Sequence, residues 1–518
     1  MKKNKQVFLL LPGILVCVLF SACSLFGDIE DLRKMVTGEK TPSLPWAFAV
    51  NGSFSYFSGS AVDSSGNVYA AGYFSGKSGF GNSVIVPGNN YYKSVIVKYD
   101  NNGNEIWVRD VIGNRNSGFN SIAVDDSGNV YAAGYQFENN QFDYGGLKGK
   151  ITGISSGYNA VLVKYDASGE TQWAKTIIEG SSRCEFLSVA VTSSGIYAAG
   201  YQYEKGAYKY STNARARVAG TSIGYNAVLV KYDVDGEAQW AISAKNMSSA
   251  SDRSMFNSVA VHGHGNICVG GYQEGNSAFK YDTGSSPPTL DVKGAYADTN
   301  AVLVKFNSDG WAQWARTTVS ASDNSSFHSV AVDASGNVYA AGQQNDTGTY
   351  SYGNTGNTVS ATATTSGYML ENSVIVKFSQ DGVAQWAKTV VKGSEMSGFH
   401  SISTDSLGNV YAAGYLQGAG VFDYGNGEIN GAYTGGFNSV VVKYNNNGNA
   451  QGARVVTKAQ ARSLFIFVSV DNSGDIYTVG VQRGSGQFNY DNGSGPVYNV
   501  EGNMNDGAVI VKYPKDRF

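Results

Sequence analysis

The sequence predicts an all-β protein, a seven-bladed β-propeller of four-stranded blades, its ring closed by an N-terminal outer strand that joins three C-terminal strands. Three observations predict it. Gly reaches 65 of 518 residues while Pro is only 8, and Tyr at 34 and Phe at 24 are plentiful, as short strands joined by Gly-rich turns require. Three phrases recur along the chain every 62–72 residues. The first and last copies of those phrases are incomplete in a way that makes one whole.

The first phrase, Ser-Gly-Asn-Val-Tyr-Ala-Ala-Gly, places its aromatic residue at Tyr69, Tyr131, Tyr197, Tyr339, Tyr411 and Tyr477, with Cys268 standing in once; the spacings are 62, 66, 71, 71, 72 and 66. The second, Ala-Val-Leu-Val-Lys-Tyr-Asp, places lysines at Lys98, Lys164, Lys231, Lys305, Lys377, Lys443 and Lys512. The third, Gln-Trp-Ala-Lys, gives Trp107, Trp173, Trp240, Trp314 and Trp386, then Gly452, with an early copy at Trp46.

Each repeat reads as strands A to D, for example 121–125, 129–135, 160–165 and 172–176. Asp-x-Ser-Gly-Asn joins A to B and Asp-x-x-Gly joins C to D, because Asp bonds its own backbone two residues on and Gly accepts positive φ. A lone D copy at 46–50 opens the series and a C copy at 508–513 ends it, so the early strand completes the last sheet and covers edges that would otherwise be open. The expected organisation is a leader at 1–22, a tether at 23–45, the propeller at 46–513 and a tail at 514–518.

The match at 62–73 (ValAspSerSerGlyAsnValTyrAlaAlaGlyTyr) and 98–107 (LysTyrAspAsnAsnGlyAsnGluIleTrp) resembles a bacterial family of seven-bladed propeller repeats found in secreted and surface proteins. The resemblance implies the fold and lends almost no chemistry. At the N-terminus Lys2, Lys3 and Lys5 precede an apolar run, Val7 to Phe20, then Ser21, Ala22 and Cys23. This is similar to a bacterial lipoprotein signal, which implies lipid on Cys23 and, with Ser24 next, an outer-membrane or cell-surface address. An ordinary secretory signal and an uncleaved anchor use the same elements.

Charged residues are only 15%, and 38 Lys plus Arg against 41 Asp plus Glu leave a net charge of −3, which gives nucleic acid no electrostatic footing. There is no nucleophile elbow and no phosphate loop. No catalytic residue, cofactor or metal site is expected: the turn aspartates supply too few oxygens for Ca²⁺, and His262 and His264 lack further ligands. His328 and His400 occupy the position of Asn120 and Asn257. Cys184 and Cys268 could pair or stay free, with Cys268 reading as a small buried hydrophobe. The repeated Trp packs between sheets rather than offering a sugar platform, and the repeated Lys lies out from the axis with its stem packed.

A–B and C–D turns share one face and are nearly invariant; B–C and D–A links share the other and vary, so binding is expected there. The candidates are the aromatic-x-Tyr pairs Phe142 and Tyr144, Tyr208 and Tyr210, Phe279 and Tyr281, Tyr350 and Tyr352, Phe422 and Tyr424, and Phe488 and Tyr490, together with Arg215 and Arg217 of a basic loop. A short extra strand packed under each loop explains the same aromatic pattern. The expected function is a lipid-anchored binding or scaffolding propeller whose partner is a glycan, a matrix component or an envelope protein. An extracellular polysaccharide lyase or glycosidase and a structural envelope-assembly protein are the alternatives.

Overall fold

A computed structural model describes residues 45–81, 85–246, 252–263, 265–275, 277–284, 289–363, 365, 370–490, 498–502 and 505–518. The chain divides into Met1–Leu44 and Pro45–Phe518. The expected leader, Cys23 and all of the tether but Pro45 lie outside the described residues, as does His264.

Short runs rich in Val, Ala and Tyr form antiparallel sheets in which sequence neighbours pair. Ser117–Val124, Val130–Phe137, Tyr158–Tyr165 and Thr171–Thr176 are strands A to D of one repeat, and they lie side by side in that order. The A–B turn follows from Asp125, whose Oδ1 accepts the backbone N–H of Ser127 and Asn129 at 3.0 and 2.9 Å. Its Oδ2 takes Asn129 Nδ2 at 2.8 Å and the Tyr131 hydroxyl at 3.0 Å, and Gly128 adopts φ 79°. Asp63, Asp333 and Asp405 repeat this arrangement, so these carboxylates are consumed in folding the turn.

The three phrases meet in one cross-strand row. Tyr131 stands opposite Lys164, and Lys164 opposite Trp173. The Lys164 ammonium lies 5.5 Å from the Tyr131 ring centroid. The Trp indole then crosses to the next repeat: Trp173 donates to Val234 O at 3.0 Å, Trp240 to Ser308 O at 3.0 Å and Trp314 to Gln380 O at 2.9 Å. The glycine of that neighbouring turn accepts the indole face; a Cβ on Gly236 would come within 2.8 Å of Trp173.

A strands pack on one another at the inner edge. Each carries a bulge, and where the bulged residue is polar it bonds the next A strand: Asn120 to Phe186 O at 2.8 Å, Asn257 to Phe327 O at 2.9 Å, His328 Nδ1 with Phe399 O and His400 Nδ1 with Phe465 O at 3.0 Å; Leu187 and Ile466 take this place in two strands. The A strand Ser463–Val470 packs against Asn51–Val62, so the ring closes, and apolar clusters fill the space between successive sheets. Trp46–Ala49 pairs with Asp506–Tyr513, with Trp46 opposite Lys512.

The uniform seven-bladed ring of four-stranded blades expected from the phrases needs correction. The structure is a propeller-like ring of sheets of unequal strand count, from two to six. The cause lies in the long B–C links, which fold as hairpins. Gly348–Asn354 and Asn357–Ala363 extend the preceding repeat's D strand into a six-stranded sheet, as do Gly486–Tyr490 and Tyr498–Gly502. Others form separate sheets of two or three strands, such as Gln141–Asp143 with Lys150–Thr152 and Val421–Asp423 with Glu428–Asn430 and Lys392–Gly393.

Candidate binding rim

The hairpins decide where the sequence candidates fall. Phe142 and Tyr144, Tyr208 and Tyr210, Phe422 and Tyr424, and Phe488 and Tyr490 belong to the first arm of each hairpin and are only 0–3% exposed. Their rings lie in the cores between sheets. Several hydroxyls find a buried amide: Tyr144 donates to Gln136 Oε1 at 3.2 Å and Tyr490 to Gln482 Oε1 at 2.8 Å. These rings hold the hairpin onto the preceding repeat, where Ile112 bridges to Asp143.

Arg215 does not join them. Its guanidinium donates to Asp309 O at 2.8 Å and lies 5.8 Å from the Trp311 ring, at a C–D turn. Arg217 lies 3.9 Å from Glu179, which also pairs with Lys209. The basic loop therefore spends part of its charge internally.

A different set of aromatics lines the B–C/D–A face near the inner edge. Tyr73, Tyr135, Tyr201, Tyr272 and Tyr415 close the Ala-Ala-Gly-Tyr phrase and its Gly-Gly-Tyr variant, and Tyr92, Tyr158, Tyr225 and Phe437 come just before or at the start of strand C. Strand pairing brings the two groups together: ring centroids are 5.2 Å apart for Tyr73 and Tyr92, 4.8 Å for Tyr135 and Tyr158, 4.9 Å for Tyr201 and Tyr225, and 4.7 Å for Tyr415 and Phe437. Glycine opposite makes room, since a Cβ on Gly118 or Gly398 would come 2.8 Å from the Tyr135 or Tyr415 ring. Most of these rings are half-buried, whereas Tyr91 and Tyr92 are 38% and 37% exposed. The signal in the sequence is the Tyr that follows the first phrase toward the end of strand B.

Polar groups thread the rim. Glu185 accepts from Tyr201 at 2.7 Å and from Asn120 Nδ2 at 2.8 Å. Glu371 accepts from Gln343 Nε2 at 2.8 Å and from Tyr415. Arg183 lies 4.3 Å from the Tyr203 ring and donates to the Tyr225 hydroxyl at 3.1 Å. Burial, reinforced by Tyr92, Asp506 and other neighbours, pushes the Tyr73 hydroxyl up to about 12, and burial likewise pushes Tyr272 up to about 12. Burial lowers His400 to about 4, with His328 adding to the shift, and lowers His328 as well. Burial thus keeps the Tyr73 and Tyr272 hydroxyls and the His400 imidazole uncharged at neutral pH, and the Glu185 and Glu371 carboxyls are bonded within the rim.

Among the described residues no group of three or more His, Cys, Asp or Glu is placed to hold a metal ion, and no helix is long and apolar enough to cross a membrane. A groove of about 660 Å³ beside Leu290, Trp314 and Asn354 has its cations committed, Lys305 to Gln380 O at 2.9 Å and Arg316 Nε to Gly382 O at 2.6 Å.

An all-β propeller-like ring with an aromatic rim is thus the class that the geometry defines. No family model matches the chain. The resemblance to the bacterial seven-bladed repeat family is corrected accordingly, the unequal sheets departing from its uniform blades, and no match supports the lipoprotein-signal resemblance carried with it. The chain is 23% identical over 437 residues to the uncharacterized WD repeat-containing protein L264 of Acanthamoeba polyphaga mimivirus, a match covering 74% of this chain and only 31% of that protein. Among solved structures it is similar to Sqt1 from Chaetomium thermophilum (10% identity, TM-score 0.41, 92% of this chain and 99% of that one). It is also similar to YCF48 bound to D1 peptide (9% identity, TM-score 0.29, 73% and 88%). The fold rests on the sheet order described above, not on these likenesses.

Proposed function

We propose that this chain is a binding or scaffolding propeller, exported and held at a membrane surface by lipid on Cys23, whose partner docks on the tyrosine rim of the B–C/D–A face. The rim itself carries the reading. It combines half-buried rings fixed by their neighbours with uncharged hydroxyl donors, a surface that stacks on sugar rings or on apolar side chains at low entropic cost. The hairpins that could have moved are fastened to the preceding repeats, so the platform is rigid. The partner is a glycan, or a matrix or envelope protein. The apolar run Val7 to Phe20, followed by Ser21, Ala22 and Cys23, supports the anchor, and nucleic acid has no place in the reading because the chain is nearly charge-balanced.

Binding of the full chain, reconstituted in phosphatidylglycerol–phosphatidylethanolamine vesicles, to a panel of neutral and anionic oligosaccharides and to purified matrix and envelope proteins tests the reading. At least one ligand should bind, and Tyr91→Ala with Tyr92→Ala should weaken it tenfold or more while Asn102→Ala on the opposite face leaves it unchanged. A blank panel, or equal losses on both faces, contradicts the rim. The anchor is tested separately by metabolic labelling with a fatty acid, which Cys23→Ser should abolish; labelling that survives the substitution contradicts it.

A further inference from the structure

One junction between sheets is fastened differently from the rest. At the other junctions an indole reaches the next repeat's turn and, except for Trp314, whose row holds Cys268, lies on the tyrosine of its own row, as Trp107 does beside Tyr69 (5.9 Å) toward Ala167 O (3.3 Å). In the row Tyr411, Lys443 and Gly452 there is no indole. The ring of Phe518 occupies the space instead. It meets Tyr411 edge-on at 6.0 Å and Tyr513 at 5.9 Å, the Arg454 guanidinium lies 5.0 Å from its centroid, and a Cβ on Gly452 would touch it at 3.7 Å.

The backbone of the segment is read too. Arg454 donates to the Arg517 carbonyl, and the Lys515 N–H donates to Asp475 Oδ1 at 3.1 Å. The recognised elements are an aromatic ring, the carbonyl just before it and one N–H, all within a short peptide. Lys515 and Asp516 face solvent, and Phe518 is half-buried, as Trp46 and Trp386 are, whereas Trp107, Trp173, Trp240 and Trp314 are buried. No other described contact holds the segment as a strand would.

We propose that the Gly452 junction is a peptide-binding slot, occupied in cis by Pro514–Phe518 and able to accept in its place the same segment of a second copy, read by its aromatic ring and the backbone beside it. Release of the segment uncovers Tyr411 and Tyr513 at the edge between two sheets, so the slot is also the place where the ring opens first.

The test uses the full chain, its Phe518→Ala variant and a fluorescent Pro-Lys-Asp-Arg-Phe peptide. Phe518→Ala should bind the peptide at least tenfold more tightly than the unaltered chain, whose slot is filled. Adding Gly452→Trp to Phe518→Ala should abolish binding and restore amide protection to Ala450–Lys458, because the indole refills the row. Failure of the peptide to bind Phe518→Ala, or equal binding to all three proteins, overturns the proposal. If Phe518→Ala does not fold, hydrogen exchange of the unaltered chain decides: faster exchange of Ala450–Lys458 than of Thr171–Thr176 supports a releasable fastener, and equal protection overturns it. None of these readouts involves the rim.

Discussion

Trp46 donates its indole N–H to the backbone carbonyl of Asn101 at 3.0 Å, across 55 residues of chain. The same carbonyl accepts from Lys512 at 3.1 Å, and the Asn101 side chain accepts from the Tyr477 hydroxyl at 3.2 Å. Tyr477, Lys512 and Trp46 form the same cross-strand row as Tyr131, Lys164 and Trp173, although here its members come from opposite ends of the chain. One turn carbonyl therefore fixes the first strand, the last strand and the neighbouring repeat together. The ring is held by a repeated row rather than by any single bond.

Removal of one row's indole should be costly. Trp314 is 7% exposed and donates to Gln380 O at 2.9 Å. Trp314→Ala should destabilise the chain by about 3–5 kcal/mol, through the cavity and the lost bond. Trp314→Phe should cost less, because a ring remains against the neighbouring turn glycine. Chemical denaturation of the two variants checks the order.

Cys184 accepts the Ala160 N–H through its sulfur at 3.3 Å, where Ser117 and Ser254 accept from Ser94 and Ala227 at 3.0 Å. Cys184→Ser should therefore be tolerated within about 1 kcal/mol, and Cys184→Ala should lose about 1 kcal/mol for the missing acceptor. Burial pushes the thiols of Cys184 and Cys268 up to about 12, and both are free. Neither should react with a thiol reagent at neutral pH until the chain unfolds.

How much of this was legible in the sequence depends on whether a residue acts within its repeat or between repeats. Asp125 and Gly128 act locally, and their turn chemistry can be read directly. The row of Tyr131, Lys164 and Trp173 shows as three phrases, although nothing in them says that the three side chains are neighbours. Phe142 and Tyr144 are harder, because aromatic-x-aromatic spacing fits an exposed loop anchor and a two-residue strand period equally well. What decides is the pairing of Asp143 with Ile112, a contact between repeats. Hairpin pairing of this kind also makes the sheets unequal. Tyr135 escaped notice for the opposite reason: it sits inside so regular a phrase that its position at the rim carries no local mark.

His328 and His400 give the ring a dependence on pH. Burial lowers both, His400 to about 4 with repulsion from His328 adding to it, while the hydrogen-bonded carbonyls, and at His400 also Glu371, oppose the shift. Tyr415 packs on His400 at 5.3 Å. The folded chain keeps these imidazoles neutral while the unfolded chain protonates them below about 6.5. Protons then bind the unfolded state preferentially, so stability should fall as pH drops from about 6.5 toward 4. His328→Asn with His400→Asn preserves the carbonyl bonds in the manner of Asn120 and Asn257, and should flatten this part of the curve. Thermal melts across that window measure both slopes.

The rim is the central claim, and solvent labelling of tyrosine tests it most directly. Tyr91 and Tyr92 are exposed in the free chain, while Tyr144 and Tyr490 are buried. Oxidative footprinting of the full chain with and without bound partner should show protection of Tyr91 and Tyr92, with Leu407 and Val383 on the opposite face unchanged. Protection confined to Leu407 and Val383, with Tyr91 and Tyr92 labelled as before, would contradict it.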